Sequence, residues 1–88
     1  MAGSPNLKVY AGREYVASCK HIEDAVVIAA VRGEGTTIRY GHGKAAILWT
    51  EGAEGQSASE SYDHATAVVV SRMEAHFALL ARRRKARG

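Results

Sequence analysis

Seven consecutive apolar residues, Ala25-Val26-Val27-Ile28-Ala29-Ala30-Val31, form the longest uninterrupted hydrophobic stretch in the 88-residue chain. A membrane-crossing helix needs about 20 such residues, so this run points to burial inside protein and no membrane span is expected. Its flanks favour a helix over His21 to Arg32. Glu23 and Asp24 fall in the first turn, Arg32 in the last and Gly33 just beyond, as the macrodipole and a glycine stop require. The β-branched content of the run leaves a buried strand as the alternative. As a helix it is apolar all round and calls for cover on more than one side.

On either side of this segment the chain alternates with period two. Residues 6 to 11 set Leu7 and Val9 against Lys8 and Tyr10, and residues 14 to 19 set Val16 against Tyr15 and Ala17. Gly12-Arg13 between them suits a type II′ hairpin turn, whose first central position needs positive φ. Thr36 to Gly41 and Lys44 to Thr50 repeat the arrangement with Ile38, Tyr40, Ile47 and Trp49 as bulky β-formers. Glu51 to Ser59 has no periodicity and reads as a mobile loop. From Ser59 or Ser61 onward, Tyr62, Thr66, Val69, Val70, Met73, Phe77 and Leu80 recur at helical spacing. The expected fold is a small single α+β domain in ββαββα order, with antiparallel hairpins and two helices packed on one sheet face. Residues 1 to 5 read as a flexible N-terminus, 6 to 81 as the domain and 82 to 88 as a basic tail.

The charge supports that division. Twelve Lys and Arg exceed nine acids by three, yet Arg82, Arg83, Arg84, Lys85 and Arg87 supply five of the twelve. Residues 1 to 81 hold seven basic groups against nine acids and are therefore mildly acidic. Cys19 is the only cysteine, so no intramolecular disulfide forms and a disulfide scaffold is excluded. With no apolar signal segment near Met1, a cytoplasmic location is expected.

The island Gly41-His42-Gly43-Lys44 invites a phosphate-binding reading, which its context rejects. A P-loop needs a glycine five residues before its Gly-Lys pair and a Ser or Thr after it, and it must open a helix. Ile38 and Ala45 occupy those positions and a strand follows, so His42-Gly43 is read as a tight hairpin turn. Cys19, His21, His42 and His64 are the candidate metal ligands, but no paired ligand spacing supports them, and neither a metal nor another cofactor is expected. Ser61, Asp63 and His64 resemble a catalytic triad in composition only, since adjacent helical residues point in different directions and no nucleophile elbow surrounds the serine. Cys19 and His21 share a strand face without a third orienting group. A non-enzymatic protein without a small-molecule substrate is the expectation.

With two-residue turns in both hairpins, Val9 faces Val16, Tyr10 faces Tyr15, Ile38 faces Ile47 and Thr36 faces Trp49. One face then collects Leu7, Val9, Val16, Ile38, Tyr40, Ile47 and Trp49 as the core side. The other carries Lys8, Tyr10, Tyr15, Ala17, Thr37, Arg39, Lys44 and Leu48, with no helix left to cover it. Tyrosines beside cations suit stacking of unpaired bases, so RNA or single-stranded DNA is the expected partner. Lys8, Arg39 and Lys44 would meet the backbone, and Arg82, Arg83, Arg84, Lys85 and Arg87 would act as a tether. The alternative is a protein-interaction or homo-oligomerisation module, with the same face as a homodimer interface. An ordinary solvated sheet face has a similar composition.

Overall fold

The computed structural model describes residues 6–41 and 46–87, with side chains described through Arg83. Its elements are β1 (Leu7–Ala11), β2 (Glu14–Cys19), α1 (Ile22–Arg32), β3 (Thr36–Tyr40), β4 (Ala46–Thr50) and α2 (Tyr62–Arg87). The four strands form one antiparallel sheet in the order β2-β1-β3-β4, so the two central strands come from different hairpins. This is the α+β arrangement expected, with both helices on one face. α1 lies over β1, β2 and β3, while α2 packs against α1 and β4.

Local chemistry accounts for the boundaries. Gly12 has φ +65°, and Glu54 is the only described non-glycine residue with positive φ, so Arg13 takes the ordinary second position that a type II′ turn requires. The apolar run is helical, not a strand: α1 ends where Gly33, at φ 90° and ψ −162°, donates its N–H to the Ala29 carbonyl at 2.9 Å. α2 begins after Ser61, whose Oγ accepts the His64 N–H at 3.2 Å as an N-cap. It runs to Arg87, so residues 82–87 continue the helix. At about 1.5 Å per residue its 26 residues account for most of the molecule's 43 Å length.

The core gathers Leu7, Val9, Ile38 and Trp49 from the sheet, Ala25, Val26 and Ala29 from α1, and Ala65, Val69 and Met73 from α2. Several expected neighbours depart from this list, and two bulges explain the sheet. The register shifts between Val9 and Tyr10, so Val9 faces Ala17 instead of Val16, and Tyr10 still faces Tyr15. Val16 is the extra residue in β2. Between Ile38 and Arg39 the register shifts again, so Ile38 faces Trp49 instead of Ile47, and Arg39 faces Ile47. Leu48 is the extra residue there. It turns inward and is buried beside Trp49, while Ile47 moves to the opposite face and is 53% exposed. Both bulges sit on outer strands, and the central β1–β3 ladder is regular. The expected His42-Gly43 turn and the expected flexible residues 1 to 5 lie outside the described residues.

The helices also bury less than their patterns imply. α1 is covered by the sheet and by α2, but its remaining side is open: Val27 is 44% exposed and Val31 77%. On α2, the predicted stripe members Tyr62, Val70 and Phe77 are exposed, and the small residue Ala65 takes the buried position near its start. Phe77 still makes an edge contact with Tyr40, their ring centres 5.2 Å apart.

The segment after β4, expected to be mobile, is pinned by a buried carboxylate. Glu51 Oε1 accepts Trp49 Nε1–H at 2.9 Å and the Ala58 N–H at 3.0 Å, and Oε2 approaches the same Ala58 N–H at 3.1 Å. Backbone bonds between Glu51 and Thr36 (2.8 Å) and between Gly35 and Glu51 (2.9 Å) extend the β3–β4 ladder into it. Gly52, at φ +85°, passes so close to Glu34 that an added Cβ would lie 2.5 Å from Glu34 Cγ.

Candidate nucleic-acid interface

The sheet face turned away from the helices is built by alternation on β1, β2 and β3. Leu7 and Val9 point to the core, so Lys8 and Tyr10 point outward, and the ladder brings Arg39 opposite Lys8 and Thr37 opposite Tyr10. On the other side Tyr15 faces Tyr10 and Ser18 faces Lys8. The result is a small aromatic and cationic cluster. The Tyr10 and Tyr15 rings meet edge to face at 5.8 Å and 70°. The Arg39 guanidinium lies 4.7 Å from the Tyr10 ring centre, and Lys8 Nζ lies 5.8 Å from that of Tyr15.

Hydrogen bonds hold these groups in place. Lys8 Nζ donates to Ser18 Oγ at 3.0 Å, and Ser18 Oγ also bonds the Tyr15 hydroxyl at 2.7 Å. Arg39 Nε donates to Thr37 Oγ1 at 3.1 Å, which orients the guanidinium plane across Tyr10. Cation–π contacts at exposed sites contribute about 0.5–1 kcal/mol each, too little to fold a domain but enough to fix side-chain orientation. Tyr15 remains 53% exposed, with ring surface available to a ligand.

Four of the predicted residues, Lys8, Tyr10, Tyr15 and Arg39, are therefore brought together. Two assignments to this face are corrected: Ala17 points to the core side opposite Val9, and Leu48 is buried through the β4 bulge. Lys44 lies outside the described residues. Arg82 and Arg83 are exposed near the end of α2, which packs on the other side of the sheet, so they do not join the cluster. Arg84, Lys85 and Arg87 are on the same helical backbone, with side chains outside the description. Sequence reasoning missed Ile47, which lies beside Arg39 on the open face, and Ser18, which bridges Lys8 and Tyr15. The signal for the first was present: Ile47-Leu48-Trp49 is three bulky residues in succession, which strict alternation cannot place on one face.

The chain matches no protein-family model, no curated protein and no solved structure. Among the described residues, no helix is long and apolar enough to cross a membrane.

Two of the residues weighed for chemistry have structural positions, and His42 lies outside the described residues. Ser61 spends its hydroxyl on capping α2, where it accepts a backbone N–H, not on activation by His64. Cys19 is buried, and burial pushes its thiol above the ordinary value of 9.0, with the Asp24 carboxylate adding to the rise. That environment disfavours the thiolate a nucleophile requires. Among the described residues, no three His, Cys, Asp or Glu side chains are grouped to hold a metal ion.

Proposed function

We propose that the open sheet face binds single-stranded nucleic acid, RNA or DNA, without catalysing a reaction on it. The observation that carries this reading is the cluster Arg39–Tyr10–Tyr15–Lys8 on a face to which neither helix packs. Every base has a π face, so an exposed tyrosine accepts bases of any identity by stacking, while flanking cations attract the phosphates. Tyr15 is the stacking platform, Tyr10 supports it edge-on, and Arg39 and Lys8 supply the positive field. Ile47 extends the apolar part of the surface. The cations at the end of α2 contribute a separate, long-range attraction. A reducing, cytoplasmic setting accords with Cys19 being the only cysteine.

A fluorescence-anisotropy titration with a labelled mixed-sequence oligonucleotide at low salt tests the reading. Stacking contributes about 1–3 kcal/mol per base, so replacing Tyr10 and Tyr15 together by Ala should weaken binding at least about fivefold with little change in salt slope. Replacing Lys8 and Arg39 by Gln should lower the slope of log affinity against log salt by about 1.4, the contribution of two single-strand phosphate contacts. Absence of binding at tens of micromolar, or tyrosine variants that bind as well as the parent, would overturn the proposal.

A further inference from the structure

We infer that the exposed side of α1 and the outer edge of β2 form a self-complementary surface that joins two copies of this chain about a two-fold axis. This surface is distinct from the open face, and the inference stands whether or not that face binds nucleic acid.

The first observation is the unfinished cover of α1. Val27 and Val31, one turn apart on the helix, are 44% and 77% exposed. With Val16 and Ile28 they line a groove of about 270 Å³ between α1 and β2, at the end of which lies Arg32. A wider cleft continues it toward the start of the helix, lined by Val27, Ile28 and Asp24. Exposed apolar residues aligned in one groove mark an association surface more often than scattered ones do.

The second is an asymmetry between the two edges of the sheet. On β4, the Leu48 carbonyl accepts Arg72 Nη1 at 2.8 Å, and the Thr50 carbonyl accepts both Gln56 Nε2 and the Ala53 N–H at 3.2 Å. At these two carbonyls that edge is occupied by its own chain. β2 is paired only with β1, and among the described residues no other group hydrogen-bonds its backbone. Free strand edges are templates for pairing.

The third observation selects a second copy as the occupant. α1 is acidic in its first turn, with Glu23 and Asp24, and basic in its last, with Arg32. A two-fold axis normal to the sheet near the middle of β2 makes both the β2 strands and the α1 helices antiparallel. Asp24 of each copy then lies toward Arg32 of the other, with the valines between. β2 tolerates the same operation. Because Val16 is an extra residue, Tyr15 and Ser18 share the open face while Glu14 and Cys19 share the core face. Pairing 15 with 18 and 14 with 19 across the axis therefore keeps every side chain on its own face. The product is a continuous eight-stranded sheet, in which the two open faces become neighbours.

Sedimentation equilibrium of the full chain without nucleic acid, from about 1 to 100 micromolar, is the test. A dimer is expected. Val31→Asp should raise its dissociation constant at least about tenfold, with circular dichroism unchanged because Val31 is exposed in the single copy. Asp24→Arg and Arg32→Asp should each weaken it, and the two combined should restore it to within a few-fold of the parent. A parent chain that is monomeric at 100 micromolar overturns the inference. So does a dimer indifferent to Val31→Asp, or a charge reversal whose combination is no better than the single changes. Oligonucleotide binding by a monomeric chain would leave the open-face reading intact while this one fails.

Discussion

Removing the Glu51 carboxylate is the sharpest test of how the segment after β4 is held. In Glu51→Ala, Trp49 Nε1–H and the Ala58 N–H lose their acceptor, and Trp49 and Ala58 are both fully buried. A buried donor left without a partner costs about 1–3 kcal/mol, so the two together should cost about 2–5 kcal/mol, somewhat less where the cavity admits water. For a domain of this size, total stability is about 4–13 kcal/mol, and each kcal/mol moves the melting temperature by about 4–8 °C. A fall of at least about 10 °C by circular dichroism is therefore expected. Glu51→Gln keeps one carbonyl oxygen able to accept from both donors and should cost only about 1 kcal/mol. Trp49→Phe removes one of the donors, so Glu51→Ala made in that background should cost about 1–2 kcal/mol less than it does alone. Equal losses in the two backgrounds, or a Glu51→Ala melt within about 3 °C of the parent, would show that the carboxylate does not clamp the loop to the indole.

Two further outcomes follow from single residues. Burial and Asp24 raise the folded-state pKa of Cys19 above the ordinary value of 9.0 that the unfolded chain keeps. The unfolded state therefore releases this proton first, and stability should fall as pH rises past about 9, with no contribution below it. Comparing urea melts of the parent and Cys19→Ala between pH 7 and 10 isolates this effect, and curves that stay parallel would refute it. Gly33 occupies a backbone region that side chains avoid, so Gly33→Ala should cost about 1–3 kcal/mol although its added methyl group meets nothing within 4 Å. An unchanged urea midpoint would mean that the turn after α1 relaxes freely.

The order of elements was legible because each has a strong local cause. The alternation around Gly12-Arg13, the charges flanking the apolar run and the glycine after Arg32 each act within a few residues. Side-chain facing was legible only as far as the sheet was regular. Lys8, Tyr10, Tyr15 and Arg39 were placed together correctly because β1–β3 is unbroken and because Tyr10 faces Tyr15 on the turn side of the β2 bulge. Past each bulge the count changes by one, so Ala17, Leu48 and Ile47 were assigned to the wrong face, while Val16 kept its face and lost only its partner Val9. The Glu51 clamp was hidden for a different reason. Its partners are an indole two residues back and an amide seven residues on, and no local pattern announces a carboxylate that organises a loop from inside. The overlong stripe on α2 has a third cause: helical spacing shows which residues share a side, not how far the neighbouring elements reach along it.

The strand order has a consequence for what counts as a unit of this protein. Chain position divides it neatly at Gly33 into two hairpin-and-helix halves, but the hydrogen-bond ladder divides it differently. The central seam pairs β1 from the first half with β3 from the second over five residue pairs, from Leu7 with Tyr40 to Ala11 with Thr36. Neither half owns a finished sheet, and each alone would bare the strand edge that the other satisfies. The smallest part of this chain that completes the central seam is the pair of halves, and the seam is the same whether they are contributed by one polypeptide or exchanged between two.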